Sequence, residues 1–274
     1  MSCNCYLCQN SITCMKKRIE DLSVIENQRL NKEFFVLRLR SQYRFSEIFP
    51  GQFAEVRIDG SPTTFLRRPI SIYDIDYKEN EIFLLIKIAG DGTRQLSLLQ
   101  QGDTLNLVYP LGNYFSKPPG SKILLIGGGT GVAPMLILGR FLKEKYAIKP
   151  QFLLGYRSSD LIIEQKKFES IGNVYITTED GSSGHKGYVI DHPLLHDESP
   201  GFDMIYTCGP EVMMKAVAAY ADHKNIECEV SLENLMGCGI GACLCCIVDT
   251  VDKGNVNTCT DGPIFNASQL KWQI

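Results

Sequence analysis

The spacing of apolar and polar residues changes near residue 118. Before that point, apolar and polar residues alternate in short runs such as 35–40, 54–58 and 82–88. Turns rich in glycine, proline and aspartate separate the runs, and only Thr93 to Leu99 has helical spacing. A period of two is typical of strands with one buried face. Several such strands in succession predict an antiparallel β-barrel.

Beyond the Pro118-Pro119-Gly120 linker, continuous apolar runs alternate with segments of helical spacing. Strands that alternate with helices predict a doubly wound parallel sheet. The strand that ends at Thr207-Cys208-Gly209-Pro210 is predicted to be the last parallel strand. The predicted strands are 122–126, 151–154, 173–176 and 203–206, and the predicted helices are 133–145, 161–170 and 210–221.

The segment from about residue 228 onwards is rich in glycine and cysteine and has few apolar side chains to bury. Such a segment needs a metal or another cross-link to fold. We therefore expect a cysteine-rich, disordered tail at 1–14, a β-barrel at 15–118, an α/β domain at 119–228 and a small cysteine-rich module at 229–274.

The composition excludes several classes of protein. Of 274 residues, 44% are hydrophobic and 22% charged, as in ordinary globular proteins. The net charge of -3 and the lack of a basic cluster argue against nucleic acid as a partner. Glycine or proline interrupts the longest apolar stretches well before the ~20 residues of a membrane span. The N-terminus lacks a secretory signal, so we expect a cytoplasmic protein with reduced cysteines.

The spacing of the C-terminal cysteines is the strongest chemical signal. Cys238, Cys243 and Cys246 have the C-x4-C-x2-C spacing of plant-type 2Fe-2S proteins, and Cys259 follows as a separate fourth cysteine. Zinc sites more often pair two C-x2-C motifs, and the second one is absent here. The spacing therefore favours a 2Fe-2S cluster over zinc, with Cys245 as a free thiol.

Four further cysteines, Cys3, Cys5, Cys8 and Cys14, lie in the N-terminal tail. Their spacing could hold a metal, but chain termini are commonly disordered. Met15 is an alternative start of the protein, and we expect these four cysteines to be dispensable.

A glycine-rich turn, Gly127 to Gly131, joins an apolar strand to an apolar helix. In such a turn the backbone can approach a pyrophosphate, which the N–H groups at the start of the helix bind. No Gly-Lys-Ser/Thr follows, which disfavours ATP chemistry, and Pro134 replaces the third glycine of the standard dinucleotide motif. A tight turn without a ligand is the other interpretation.

Two further segments are ambiguous on their own. Arg67 and Arg68 precede Pro69-Ile70-Ser71, and an arginine pair suits either a diphosphate or a solvated strand edge. Cys208 lies at the carboxyl end of a predicted parallel strand, where such sheets bind ligands. A single cysteine is nevertheless usually just a small buried residue.

Taken in this order, the motifs resemble those of the ferredoxin-NADP reductase superfamily. Within it, the C-terminal cysteines and their surroundings are similar to those of the electron-transfer subunits of type B dihydroorotate dehydrogenases. The resemblance extends from about residue 16 to the C-terminus. It rests on Pro50-Gly51-Gln52-Phe53, Arg68-Pro69-Ile70-Ser71, Leu85-Ile86-Lys87, Gly92-Thr93, the glycine turn, Thr207-Cys208-Gly209-Pro210 and Cys259-x-Asp261-Gly262-Pro263-x-Phe265.

The resemblance implies an FAD-binding barrel, an NAD-binding domain and a 2Fe-2S module, and it assigns residues to each. Those expected at FAD are Arg68, Pro69, Ile70, Ser71, Leu85, Ile86, Lys87, Gly92 and Thr93. Those expected at NAD(H) are Gly129, Thr130, Gly131 and, as the catalytic residue near the nicotinamide, Cys208. Those expected at the cluster are Cys238, Cys243, Cys246 and Cys259.

The implied function is electron transfer. NADH gives two electrons as a hydride and a 2Fe-2S cluster carries one, so FAD has to stand between them. In the family, the electrons pass to an FMN-containing catalytic subunit that interconverts dihydroorotate and orotate in pyrimidine biosynthesis. The resemblance thus implies one subunit of an NAD-dependent oxidoreductase, in a heterotetramer of two plus two chains.

Two other functions stay open. The chain also suits the flavin and 2Fe-2S subunit of another oxidoreductase, of the ferredoxin:NADP oxidoreductase, sulfide dehydrogenase or hydrogenase type. A non-catalytic zinc-binding adaptor is the alternative from a different class, which a brown and flavin-fluorescent protein would exclude. NADH is preferred to NADPH, because Arg157 has no adjacent basic residue to help it bind a 2′-phosphate.

Overall fold

A closed antiparallel barrel of six strands forms the first part of the protein, as the alternating pattern predicts. The computed structural model describes residues 17–196 and 201–272. The predicted tail with Cys3, Cys5, Cys8 and Cys14 lies outside these residues. The barrel consists of β1 (Arg18–Arg29), β2 (Phe34–Arg40), β3 (Phe53–Val56), β4 (Arg68–Asp76), β5 (Glu81–Lys87) and β6 (Thr104–Leu111), with α1 (Asp91–Leu96) between β5 and β6. Around the barrel the order is β1-β2-β5-β4-β3-β6.

The two faces of the barrel strands pack against different cores. Phe35, Leu37 and Leu39 of β2 are fully buried in the interior of the barrel. Phe34 and Val36, on the other face, belong to the core of the following sheet. The outer face of β2 is therefore apolar because the second part of the protein covers it.

A seven-stranded sheet with flanking helices forms the second part. Its elements are β7 (Ile123–Gly128), α2 (Val132–Tyr146), β8 (Gln151–Tyr156), α3 (Gln165–Glu169), β9 (Asn173–Thr178), β10 (His185–Lys186), β11 (Met204–Cys208), α4 (Glu211–His223) and β12 (Glu227–Ser231). The remaining strands are β13 (Ile247–Thr250), β14 (Gly254–Asn257) and β15 (Ile264–Asn266). The sheet order is β10-β9-β8-β7-β11-β12-β15, and β13 pairs with β14 in a separate hairpin.

The prediction that β11 is the last parallel strand is wrong. β12 pairs with β11 in parallel along its whole length, and β15 then pairs with β12 in the antiparallel direction. Two glutamates make the sequence of β12 look like a surface segment, but Cys228 and Val230, which alternate with them, are buried. The sheet thus continues into the cysteine-rich module.

The predicted helix at 161–170 is also shorter than expected. A single 3-10 turn at Ser159–Leu161 precedes α3, and Glu164 between them has a left-handed backbone with φ of 36°. The Glu164 carboxylate accepts a hydrogen bond from Tyr73 Oη at 2.7 Å, so this break joins the sheet to the barrel. None of the helices in the described part of the chain is long and apolar enough to cross a membrane.

The Asn113 side chain holds the C-terminal module against the barrel. Its Nδ2 donates hydrogen bonds to the carbonyl oxygens of Asp261 and Ile264, both at 2.8 Å. Its Oδ1 accepts a hydrogen bond from the Ile264 N–H at 2.9 Å, and its own N–H donates to the Gly262 carbonyl at 2.7 Å. Asn113, two residues after β6, thus fixes residues 261–264 through its side chain and its backbone N–H.

Glu55 has no exposed surface, although it lies in β3 on the outer face of the barrel. The loop of the C-terminal cysteines covers this face, and a Cβ at Gly239 would lie 2.6 Å from Glu55 Cγ. Neither carboxylate oxygen has a hydrogen-bond partner within the described residues. Burial raises the pKa of Glu55 to about 7, even though Arg67 opposes the shift.

We predict that Gly131→Ala destabilises the protein more than Gly129→Ala. A Cβ at Gly131 would lie 2.1 Å from the carbonyl oxygen of Cys208, so α2 and β11 would have to separate. A Cβ at Gly129 meets open space and adds only the strain of its φ of 57°, about 1 kcal/mol. We expect Gly131→Ala to lower the free energy of unfolding by about 3 kcal/mol, as measured by thermal unfolding. Equal melting temperatures would contradict the tight contact.

We predict that Glu55→Gln stabilises the fold increasingly as the pH rises. The folded pKa of about 7 lies above the ordinary 4.5, so the wild-type protein loses stability as the carboxyl ionises across this range. The stabilisation by glutamine should grow from under about 1 kcal/mol at pH 5 to about 3 kcal/mol at pH 8. Thermal melts of both proteins across this range measure the difference. A difference independent of pH would mean that Glu55 stays charged in the folded protein.

Candidate functional site

Two cavities lie side by side where the barrel meets the carboxyl ends of the parallel strands. The barrel cavity, of about 180 Å³, lies between β4 and β5 on one side and residues 231–234 on the other. The sheet cavity, of about 620 Å³, runs along the ends of β7, β8 and β9. Lys87 lines both cavities. Open α/β sheets bind ligands at this edge, beside the strand where the order of the sheet reverses.

The barrel cavity collects most of the residues that the sequence assigns to a flavin. Apolar walls come from Ile70, Leu85 and Met236, and polar groups come from Lys87 and Thr130. An apolar cleft with a few polar groups fits a planar ring system with a polar edge. The six assigned residues that line it are Pro69, Ile70, Ser71, Leu85, Ile86 and Lys87.

The two neighbouring arginines have different environments. The Arg67 guanidinium donates hydrogen bonds to Asn106 Oδ1 at 2.5 Å and to the Glu55 carbonyl at 3.2 Å. The half-buried side chain of Arg68 has no hydrogen-bond or ion-pair partner within the described residues. Only Arg68 therefore has a guanidinium free to bind a diphosphate.

Gly92 and Thr93 lie in α1, and neither lines the two cavities. The Thr93 hydroxyl accepts a hydrogen bond from the Ala89 N–H at 2.9 Å and donates one to the Gly90 carbonyl at 3.1 Å. Gly92 is buried, with the Thr64 methyl 3.1 Å from a Cβ placed there. Both residues thus shape the turn before α1.

The glycine turn has three different environments. Gly128 and Gly129 line the sheet cavity at the start of α2, where backbone N–H groups and the helix dipole favour a phosphate. Thr130 lines the barrel cavity instead. Gly131 is buried against the Cys208 carbonyl and provides close packing. The turn therefore separates the two cavities.

Cys208 ends β11 at the expected edge of the sheet but lines neither cavity. Its side chain is 1% exposed, and burial raises the pKa of the thiol far above its ordinary range. The thiol is therefore neutral at pH 7. Pro210, two residues further along, does line the sheet cavity.

Glu233 is a residue of the site that the sequence did not indicate. It follows β12, lines the barrel cavity and accepts a hydrogen bond from Thr130 Oγ1 at 3.3 Å. Burial raises the pKa of its carboxyl. The sequence did not indicate Glu233 because β12, the strand that precedes it, was not predicted.

The four predicted cluster cysteines lie around one glycine-rich loop. Backbone N–H groups point at their sulfurs: those of Ile240 and Ala242 at Cys238 Sγ, at 3.5 and 3.3 Å, and that of Gly241 at Cys259 Sγ, at 3.2 Å. Hydrogen bonds of this kind stabilise the thiolates that bind an iron-sulfur cluster. The donor set and loop therefore fit the group.

The cysteine side chains of the loop shift one another's pKa values. The pKa of Cys243 is lowered to about 6, first by the Cys245 N–H and then by the Cys238 side chain, whereas burial and Cys246 raise the pKa of Cys259. Within residues 17–196 and 201–272, no three histidine, cysteine or acidic side chains converge as the ligands of a single ion would. A cluster with two irons needs only two cysteines at each iron.

Cys245 lies at the surface of the same loop. Its Sγ is 3.8 Å from the Cys243 carbonyl oxygen, and a Cβ at Gly237 would approach both Cys243 Sγ and Cys245 Sγ, at 3.3 and 3.7 Å. Cys246 and Cys259 are instead buried against Phe53 and Leu111 of the barrel.

Two family models match the chain. Residues 125–219 match the oxidoreductase NAD-binding domain. Residues 233–271 match the iron-sulfur cluster binding domain of dihydroorotate dehydrogenase B. These matches support NAD(H) and an iron-sulfur cluster as the groups that the two regions bind.

Solved structures share the fold. A structure of an NADH-dependent reduced ferredoxin-NADP oxidoreductase is 29% identical, with a TM-score of 0.82, and the match covers 92% of this chain and 90% of that one. The ferredoxin reductase in carbazole 1,9a-dioxygenase is 21% identical, with a TM-score of 0.69 over 78% of this chain and 68% of that one. The predicted barrel followed by a parallel sheet is confirmed.

Curated relatives match nearly the whole chain. The electron transfer subunit of dihydroorotate dehydrogenase B (NAD(+)) from Lysinibacillus sphaericus is 36% identical over 254 residues, covering 90% of this chain and 96% of that protein. The subunit of the same name from Caldanaerobacter subterraneus is 37% identical over 250 residues, with the same coverage. This chain therefore belongs to the family of electron transfer subunits of dihydroorotate dehydrogenase B (NAD(+)).

Proposed function

We propose that this chain carries electrons between NAD(H) and a catalytic partner subunit that interconverts dihydroorotate and orotate in pyrimidine biosynthesis. The adjacency of three sites supports this function. Lys87 lines both cavities, and Met236 and Pro263 of the cysteine-rich module line the barrel cavity. Met236 is two residues before Cys238, and Pro263 is four residues after Cys259. The nucleotide, flavin and cluster sites thus follow one another.

The side chains around the two cavities position the reactants. FAD, when bound, accepts a hydride and releases electrons singly, and the 2Fe-2S cluster carries one electron at a time. Ser71, Lys87 and Thr130 bind the polar edge of the flavin, and Arg68 binds its diphosphate. Gly92 and Thr93 shape the turn beside that diphosphate.

The start of α2 binds NAD(H). Gly129 and its neighbours would hold the pyrophosphate, and Thr130, which lines the barrel cavity, would lie between the nucleotide and the flavin. Cys208 packs behind this position as a neutral thiol, and Gly131 keeps α2 close to it. Cys208 is therefore a positioning residue for the hydride transfer.

The cluster ligands are Cys238, Cys243, Cys246 and Cys259. The backbone N–H groups that point at Cys238 Sγ and Cys259 Sγ support this set of ligands. Cys245 is not a ligand in this assignment.

The partner is an FMN-containing catalytic subunit, in a complex of two plus two chains. Two features of the cluster loop support a protein partner there. Cys243 is exposed, and Ile240 and Leu244 beside it are 54% and 56% exposed apolar residues. An apolar patch next to a redox group suits docking of a second redox protein.

The ferredoxin-NADP oxidoreductase type is the second candidate, because its solved structure matches 92% of this chain. The identity of 36–37% to dihydroorotate dehydrogenase subunits, against 29%, favours the pyrimidine pathway. The two candidates differ in the partner that accepts the electrons.

We predict that Cys259→Ala loses the absorbance of the cluster but keeps FAD, because the flavin cavity contains no part of the Cys259 side chain. Cys245→Ala is the matched control and should keep both. Iron content and visible spectra of the purified proteins measure the outcome. Loss of iron from the Cys245 variant would contradict the ligand assignment.

We predict that the isolated protein oxidises NADH with ferricyanide but does not reduce orotate. Adding the FMN-containing subunit from the same source should create NADH-dependent orotate reduction. Cys259→Ala should abolish this coupled reaction and spare ferricyanide reduction, since hydride transfer requires only the flavin.

Two results would contradict this division of labour. The first is orotate reduction by the chain alone, and the second is coupled turnover without the cluster. A complex that reduces NADP(+) from reduced ferredoxin but not orotate would instead support the second candidate.

A further inference from the structure

Four charged residues line the sheet cavity, and two of them, Glu33 and Lys87, come from the barrel. Glu33, in the turn between β1 and β2, accepts a hydrogen bond from Arg157 Nη2 at 2.5 Å and lies 3.2 Å from Lys87 Nζ. Arg157 directly follows β8, so this ion pair joins the barrel to the sheet. Both cations of the cavity are thus paired with the same carboxylate.

The remaining charge is an unpaired carboxylate. Glu179 directly follows β9, is exposed and has no ion-pair partner within the described residues. Thr177, near the end of the same strand, is 1% exposed, and its hydroxyl has no hydrogen-bond partner there. The Glu179 carboxylate can accept hydrogen bonds from ribose hydroxyls, and the Thr177 hydroxyl can donate or accept one.

The order of the strands sets the direction of a bound dinucleotide. The pyrophosphate site is at the end of β7, and the barrel cavity adjoins it at Thr130. With the nicotinamide towards the barrel cavity, the adenosine half extends over β8 and β9. Arg157 and Glu179 therefore lie at the adenosine end.

We propose that Glu33 makes this chain select NADH over NADPH, by pairing with the only arginine that lines the sheet cavity within the described residues. This inference rests on the proposed function and adds a specificity residue from the other domain. A 2′-phosphate would have to displace Glu33 from Arg157, and Glu179 would repel it. The 2′-hydroxyl of NADH meets neither obstacle.

Glu33 is charged in this position. Burial acts to raise the pKa of its carboxyl, but Lys87 and Arg157 outweigh burial and lower it. The Arg157 side chain is 59% exposed, so it could turn towards a phosphate if its partner were removed. Arginine binds phosphate well in such a position, because its guanidinium can donate two hydrogen bonds.

The test compares binding of adenosine 2′,5′-bisphosphate and AMP to the full-length FAD-loaded protein by calorimetry. The two probes differ only in the 2′-phosphate. Glu33→Gln should raise the affinity for the bisphosphate roughly tenfold, the effect of one charge-assisted hydrogen bond, and leave the affinity for AMP unchanged. The ratio of kcat/KM for NADPH and NADH, with ferricyanide as acceptor, should rise by the same factor.

Asp160→Asn is the matched control. Asp160 pairs with Lys32 at 2.7 Å across the same contact between barrel and sheet, but it does not line the cavity. Its substitution also removes one negative charge and should leave both ratios unchanged. An increase as large as that of Glu33→Gln would show a general charge effect and overturn the proposal.

Substitutions of Arg157 complete the test. Glu33→Gln with Arg157→Gln should lose the gain, and Arg157→Gln alone should not change discrimination, because the wild-type arginine is already paired. A gain that survives in the double variant, or a loss of bisphosphate binding in Arg157→Gln alone, would overturn the proposal. Absence of NADH oxidation in the wild-type protein would instead refute the proposed function, independently of the binding of the two probes.

Discussion

The arrangement of the three sites depends on the contact between Asn113 and residues 261–264. The amide of Asn113 fixes Asp261, two residues after Cys259, and also Ile264, which begins the last strand of the sheet. Pro263 between them lines the barrel cavity. A short and fixed separation is needed for electrons to pass between two bound groups. This amide sets that separation by holding the module of the cluster to the wall of the flavin cavity.

The barrel and most of the sheet could be predicted because burial follows directly from the spacing of apolar residues. Phe35, Leu37 and Leu39 alternate in the sequence and are buried in the barrel. β12 was missed for the same reason. Its two glutamates give it the pattern of a surface strand, and its burial depends on β15, which lies over thirty residues further along the chain.

The site was predictable where its residues are adjacent in the sequence. Residues 69–71 and 85–87 line one cavity because β4 and β5 are neighbours in the barrel. The roles of Glu33 and Glu55 could not be predicted, because each depends on a distant segment. Glu33 meets Arg157 across 124 positions, and Glu55 is covered by the loop at Gly239. From the sequence alone, both residues look like ordinary surface glutamates.

The pairing of β12 with β15 has a consequence for the order of folding during synthesis. Domains generally fold as units from the N-terminus, so the barrel can form while the later strands are still being made. Until residues 264–266 leave the ribosome, β12 has an open edge whose backbone groups could pair with another chain. The nucleotide-binding sheet is therefore completed only after residues 264–266 have been made. The segment that supplies Cys259 is thus followed directly by the strand that covers the open edge of the sheet.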